Sequence, residues 1–328
     1  MAPSFYRKNI IQKAWSISWF NKSLWFFGLF AAILAMGEEY DVLLRNSDIF
    51  NAIPTNLNYY RDALQLGLFS GFANSVGDFV RTNVPGTLYL LVTWIVAILA
   101  LAWLVIVAQG ALIEGAKRHD AGKSLNLIEG FDAGMSTFWP IFLTNLIAKV
   151  VVYGLLLVVD VPLIMVYMKT GSLAAATAIM LWTFLILFPV MVVVSFITKF
   201  ANSYVVVKRY SVMRSIVGAW RLFTRNMLVT FELAALLIVI KTLIVYIAAS
   251  TLINAIGFPN ISTAGYLFFL VAIGFVYAWL TTFQFSSWTF MFLQLETGNG
   301  RSKLRRLVHY ILDLPEVSEK PAKAQIKK

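Results

Sequence analysis

The chain has no cysteine and only two histidines, His119 and His309, among its 328 residues. Without thiols there is no disulfide framework and no thiolate metal site, and the two histidines do not have the spacing of a zinc-binding pair. Charge is scarce as well: Asp, Glu, Lys and Arg make up 13% of the chain, against 59% hydrophobic residues and a mean hydropathy of +0.76. A soluble domain carries about 25% charged residues, so too little polar surface remains to coat a globule in water. No Asp-x-x-Asp cluster stands at the edge of an apolar run to hold magnesium. Gly122-Lys123-Ser124 has the ending of a phosphate-binding loop, yet Lys117 stands where its first glycine is required. These absences imply no cofactor and no catalytic residue, and they favour a non-enzymatic protein.

What the chain does have is apolar length. Crossing the hydrocarbon core of a bilayer takes about 20 predominantly apolar helical residues. Six stretches qualify, near Ile17–Met36, Thr87–Ala108, Phe138–Tyr167, Leu173–Phe200, Met227–Ile253 and Gly265–Leu295. A β-barrel would show short segments of alternating polarity, whereas Leu233–Val245 is apolar on every face. The expected class is an all-α integral membrane protein with six transmembrane helices. The first stretch is expected to be a retained span, because Ala32-Ile33-Leu34-Ala35-Met36 offers no clean small-x-small cleavage site.

Orientation follows from Lys and Arg. Of the 27 such residues, 21 fall on one side: before the first span or in its first turns, between spans two and three, at the end of span four or between four and five, or in the tail. The opposite side has Arg45, Arg61, Arg81 and Lys169, and Lys149 and Lys241 lie within spans. The positive-inside rule then places both termini in the cytoplasm, with the chain in the cytoplasmic membrane. The net charge of +11 reads as a topology signal and as attraction to anionic headgroups, worth about 1 kcal/mol per basic residue near the surface. Membrane lipids are the expected partners at that face. Nucleic acid is not, and the residues name no protein partner.

Three segments share a layout in which an amphipathic stretch carries an aromatic residue after a small one, then a polar break, then a span. They are Ile10-Ile11-Gln12-Lys13-Ala14-Trp15, Leu127-Ile128-Glu129-Gly130-Phe131 and Ser215-Ile216-Val217-Gly218-Ala219-Trp220, and in the first and third an Asn follows six residues after the Trp, at Asn21 and Asn226. At about 100° per residue, Met213, Ile216, Val217, Trp220 and Phe223 share one helix face, and Arg214, Arg221 and Arg225 fall within about 40° of one another on another. Such a helix is expected to lie along the cytoplasmic interface. The spacing predicts one domain over residues 1–312, built of three hairpin units at about 5–108, 123–200 and 212–295. An outer loop over 37–86, a terminal amphipathic helix over 301–312 and a disordered basic tail over 313–328 complete it.

The run Ser215-Ile216-Val217-Gly218-Ala219-Trp220-Arg221-Leu222-Phe223-Thr224-Arg225-Asn226, leading directly into a span, resembles the recurring element of a broad group of prokaryotic polytopic membrane proteins. That group includes the membrane domain attached to some glycerophosphoryl diester phosphodiesterases. The resemblance implies a six-span helical fold of repeated units. It does not extend to hydrolase activity, because the catalytic barrel of those enzymes takes about 250 further residues, and no catalytic residue is carried over.

Ionisable residues inside spans carry the remaining information, since a charge in hydrocarbon costs at least about 2.5 to 3.5 kcal/mol on insertion scales. Lys149 and Lys241 sit near mid-membrane at equivalent positions of spans three and five. Asp160 follows Lys149 on nearly the same face, about 16 Å further along, and Glu232 sits near the cytoplasmic end of span five. Both lysines facing an interior cavity would attract an anionic group. Alternatively, each snorkels to an interface or bonds to polar residues such as Asn145, Thr281, Thr282, Gln284 and Ser286. Pro162 and Pro189 are expected to kink spans three and four, and Trp15, Trp25, Trp139, Trp220 and Trp288 to anchor span ends at the interface. The leading expectation is a lipid-interacting or scaffold component whose arginines Arg214, Arg221 and Arg225 grip headgroups. The alternative is a small permease or lipid transporter with an anion-attracting cavity between spans three, five and six, contacted by Lys149, Lys241, Asp160 and Gln284.

Overall fold

A segment inside hydrocarbon must satisfy every backbone N–H and C=O from within the protein, and the apolar runs of this sequence do so as helices. The computed structural model describes residues 5–35, 84–170, 173–256 and 263–297, and among these residues there is no strand. In chain order the helices are α1 (Phe5–Phe20), α2 (Ser23–Ala35), α3 (Val84–Asp120), α4 (Leu127–Ser136) and α5 (Phe138–Thr170), then α6 (Leu173–Lys208), α7 (Val212–Arg225), α8 (Met227–Ile256) and α9 (Thr263–Glu296). Among the described residues four segments are long and apolar enough to cross a membrane: Pro85–Asp120, Phe138–Val159, Phe184–Lys208 and Met227–Ala248. The chain is an all-helical, membrane-embedded protein.

Three expected boundaries move. The first span does not begin at Ile17: α1 continues to Phe20, the helix breaks at Asn21 and Lys22, and α2 restarts at Ser23. The 13 described residues of α2 fall short of the about 20 that a crossing takes. The second span does not end at Ala108, because α3 runs on to Asp120. Its extension is covered by protein, since every residue from Val105 to Ala116 is buried. At the other end α3 begins at Val84, inside the expected outer loop. The rest of that loop, the terminal helix with His309, and the basic tail lie outside the described residues. Pro162 and Pro189 fall within α5 and α6, which remain helical on both sides of them.

The core sits at one end of the bundle. There α3 is surrounded by α1, α2, α4, α5, α6 and α9, while α9 packs along α1, α2 and α3. Phe200–Val206 of α6 and Ser286–Phe292 of α9 are buried at every position. Toward its other end α3 is exposed on all faces from Leu88 to Ala102, as suits a helix surrounded by acyl chains. Close backbone approach holds the packed end together. A Cβ on Gly28 of α2 would run into the carbonyl oxygen of Ala278 and the hydroxyl of Thr282 on α9, and one on Gly134 of α4 would run into the carbonyl of Val107 on α3.

Candidate functional site

At the packed end α1, α4 and α7 each stop one or two residues before the next helix. The breaks fall at Asn21, Thr137 and Asn226. In each the backbone carbonyl of the break residue accepts a hydrogen bond from the first turn of the next helix, from Leu24 N at 3.0 Å, Ile141 N at 3.1 Å and Thr230 N at 3.1 Å. Seven residues before each break stands a small buried residue, Ala14, Gly130 or Ala219, followed by Trp15, Phe131 or Trp220. Thr137 was not legible as a break beside the two asparagines. Aligning the three segments on the small-aromatic pair places it in register with them.

The three short helices also share an order of faces. Turning each wheel in the same sense, the protein-facing stripe comes first, exposed apolar residues second and polar residues third. In α1 these are Ile10, Ala14, Ile17 and Ser18; then Trp15 and Trp19; then Gln12, Lys13 and Ser16. In α4 they are Gly130, Ala133 and Gly134; then Leu127, Ile128 and Met135; then Glu129, Asp132 and Ser136. In α7 they are Ser215, Ala219, Leu222 and Phe223; then Met213, Val217 and Trp220; then Arg214, Arg221 and Arg225. Phe20, the last residue of α1, departs from the order by lying on the polar side.

This arrangement corrects two expected side-chain placements. Phe223 does not join the exposed apolar face: it is 1% exposed and packs with Phe196 and Phe231. Trp288 is not an interfacial anchor. It is 5% exposed, ringed by Phe196 and Phe200, with the ammonium of Lys199 lying 4.9 Å from its ring centroid. By contrast Trp15, Trp139 and Trp220 are exposed by half or more, and Trp25 is half-buried, its indole N–H donating to Ser18 O.

Ion pairs link elements across the same end. Lys13 Nζ lies 2.7 Å from Asp120 Oδ1, joining α1 to α3. Arg118 Nη1 lies 2.6 Å from Glu129 Oε2, joining α3 to α4, and Lys208 Nζ lies 2.8 Å from Glu296 Oε2, joining α6 to α9. The first two are largely exposed, so each contributes at most about 1 kcal/mol. Glu114 is buried and receives Lys117 at 3.0 Å and Arg118 at 3.4 Å from the following turn. Arg214, Arg221 and Arg225 are exposed, with the guanidinium carbon of Arg214 at 5.6 Å from the Tyr210 ring centroid.

The residues that sequence position grouped as ligand contacts within spans lie on three helices, α5, α8 and α9. Lys241 is half-buried in α8, which packs against α7 and α9, and Gln284 is half-buried in α9. Asp160 belongs to α5, with its side chain outside what the structure describes. Lys149, also half-buried, lines a cleft of about 440 Å³ together with Ile98, Leu101, Ala102, Val105, Ile106, Phe142, Asn145 and Leu146. The cleft therefore lies between α3 and α5, the second and third expected spans. It opens sideways, where Ile98, Leu101 and Leu146 are exposed.

Behind the cleft a chain of amides crosses three helices. Asn145 Nδ2 donates to Gln109 Oε1 of α3 at 3.0 Å, and Asn202 Nδ2 of α6 donates to Asn145 Oδ1 at 3.3 Å. Gln109 is 1% exposed and Asn202 5%, so neither amide is hydrated. Gln109→Leu, which strips Asn145 of its acceptor, is expected to destabilise the protein by about 1 to 3 kcal/mol. The thermal unfolding midpoint in detergent checks this, and an unchanged midpoint would show that the amide chain contributes nothing to stability.

Among the described residues no group of three or more His, Asp or Glu stands where it could hold a metal ion. No family model, no curated protein and no solved structure matches the chain. The resemblance to the phosphodiesterase-associated membrane group rests on residues 215–226 and the helical layout alone.

Proposed function

We propose that this chain is a non-enzymatic, multi-pass protein of the cytoplasmic membrane, both termini cytoplasmic, that engages lipids of the inner leaflet as a lipid-interacting or scaffold component. Three units, each an interfacial helix followed by a transmembrane hairpin, build its six spans. The observation that carries this reading is the common order of faces on α1, α4 and α7. A helix lying at an interface against a protein has three environments around it: the bundle, the acyl chains and the headgroup layer. Small residues meet the bundle because they allow close approach. Exposed rings and aliphatic side chains then face acyl carbons, and the charged sector faces headgroups. Three helices turned through those environments in the same sense fit one bilayer plane, and all three sit at the end of the bundle where the basic residues concentrate.

The absence of cysteine makes the reading directly testable, because a single introduced thiol reports one position. In inside-out vesicles a membrane-impermeant maleimide is expected to label Arg221→Cys at least about tenfold faster than Val217→Cys, because the reactive thiolate forms in water and not among acyl chains. Equal labelling of the two positions, or labelling of Arg221→Cys from the outer face only, would refute the arrangement.

A further inference from the structure

The helices α1, α4 and α7 share one order of faces but not one kind of charge. On α4 the polar sector carries Glu129 and Asp132, and on α1 the ammonium of Lys13 is already held by Asp120. On α7 the sector carries Arg214, Arg221 and Arg225, all exposed, and the helix contains no acidic residue. Lys117, Arg118 and Lys208 at the same end each have a carboxylate partner. Among the described residues no carboxylate pairs with the three arginines of α7. Like charges one turn apart on a helix repel, so this face is completed by an anion from outside the chain. We infer that Arg221 and Arg225 bind one phospholipid that carries two phosphodiester groups on a single short polyol, in preference to phospholipids with one phosphate.

Spacing argues for two linked phosphates. Arg221 and Arg225 are four residues apart, about 6 Å along the helix axis and about 40° around it. An extended covalent chain advances about 1.2 Å per bond, a third of the reach of one residue. The six bonds of P–O–C–C–C–O–P therefore hold two phosphates up to about 7 Å apart, which matches the arginine pair. Arg214 stands about 10.5 Å before Arg221, beyond that reach, and its guanidinium carbon lies 5.6 Å from the Tyr210 ring centroid instead.

Residue type argues the same way. A guanidinium offers a planar fork that meets phosphate oxygens with two parallel bonds, whereas an ammonium is a point charge. Each phosphodiester is a monoanion, so two of them balance two arginines. Once the first is held, its linker keeps the second at a high effective concentration beside the other arginine, which separate lipids cannot do. The acyl chains find apolar surface beside the pair. Val217 and Trp220 are exposed by more than half on the next sector of α7, and Leu228 and Phe231 are exposed on α8.

This inference rests on α7 lying in the headgroup layer, the reading proposed above, and adds to it the choice of lipid. The test uses the full chain, stripped of co-purifying lipid and titrated in detergent with diphosphatidylglycerol or with phosphatidylglycerol at equal total phosphate. Bound lipid is counted by native mass spectrometry. One diphosphatidylglycerol is expected per chain, bound at least about tenfold more tightly than phosphatidylglycerol. Glycerol bisphosphate, the linked headgroup without chains, should not displace it at equal concentration. Arg221→Gln and Arg225→Gln should each reduce diphosphatidylglycerol to the phosphatidylglycerol level. Both positions are exposed, so the thermal unfolding midpoint should stay that of the parent. Lys13→Gln should leave the preference unchanged. Equal binding of the two lipids by the parent, with both lost when all three arginines become Gln, would overturn the linked-phosphate site and leave the headgroup reading standing. A tenfold preference that survives both single substitutions, or displacement by glycerol bisphosphate, would overturn it too. If the triple variant binds both lipids as the parent does, the inference and the headgroup reading fall together.

Discussion

A chain carrying both Gly28→Ala and Gly134→Ala is expected to lose about 2 to 6 kcal/mol of stability, which for a typical domain approaches the whole margin between folded and unfolded states. At both sites the new methyl would press on backbone as well as on a side chain, so a rotamer change alone gives no relief. At Gly28 it meets the carbonyl oxygen of Ala278, and at Gly134 that of Val107, with the carbonyl carbon at 2.9 Å behind it. Relief therefore requires α2 to move away from α9 and α4 away from α3. Overpacking of this kind costs about 1 to 3 kcal/mol per site. Gly154 of α5 is the internal control, because a Cβ there meets nothing within 4 Å; replacing it by Ala removes a helix-weakening residue and should stabilise by up to about 1 kcal/mol. Thermal unfolding of the three variants in detergent decides the matter. If Gly134→Ala melts where the parent does, the close approach of α4 to α3 is not a determinant of stability.

The second large effect is expected at α7. Changing Arg214, Arg221 and Arg225 together to Gln should remove about 3 kcal/mol of attraction to anionic lipid, at about 1 kcal/mol per basic residue near the surface. At low salt that corresponds to roughly a hundredfold less anionic phospholipid retained through purification. The difference should shrink as ionic strength rises, because the screening length falls to about 8 Å at physiological salt. Lys13→Gln provides the comparison, since that ammonium already lies 2.7 Å from Asp120 and has less attraction left to offer a headgroup. Counting co-purified phosphatidylglycerol per protein checks the prediction, and equal retention by the triple variant and the parent would exclude a headgroup role for this face.

The membrane class was legible because it depends on totals: few charges and long apolar runs leave a polypeptide no other solvent. The three short helices were legible from a small residue followed by an aromatic one: the small residue is buried in all three, while Trp15 and Trp220 are exposed and Phe131 is half-buried against Trp103. Thr137 escaped because the break uses a backbone carbonyl, which any residue supplies, so the shared letter Asn in the other two breaks was incidental. Phe223 and Trp288 were misplaced for a different reason. Periodicity tells which residues share a face but not what covers it, and the stripes that meet protein here, such as Ser215 and Ala219, are too small to carry a strong hydropathy signal.

The cleft divides in the same way. The cost of burying charge picked out Lys149 from sequence alone. Its partner wall on α3 was not readable, because nothing local states that residues 98–106 lie beside residues 142–149. The matched lysine, Lys241, shows the limit of arguing from equivalent positions, since α5 and α8 have different neighbours.

The packing of α9 along α1, α2 and α3 has a consequence for how the molecule is made. Those partners leave the ribosome before α9, and 142 residues separate the end of α3 from the start of that helix. At about 5 to 20 residues per second, residues such as Gly28, whose close fit belongs to α9, wait on the order of tens of seconds before their counterpart exists. Through that interval α1 and α2 have α3 to pack on but lack the surface of α9, Ala278 and Thr282 among it, that Gly28 fits. Synthesis halted before Thr263 would therefore release a product uncovered on the faces of α1 and α2 that α9 packs against, and an insertion factor or membrane protease would have those faces to read.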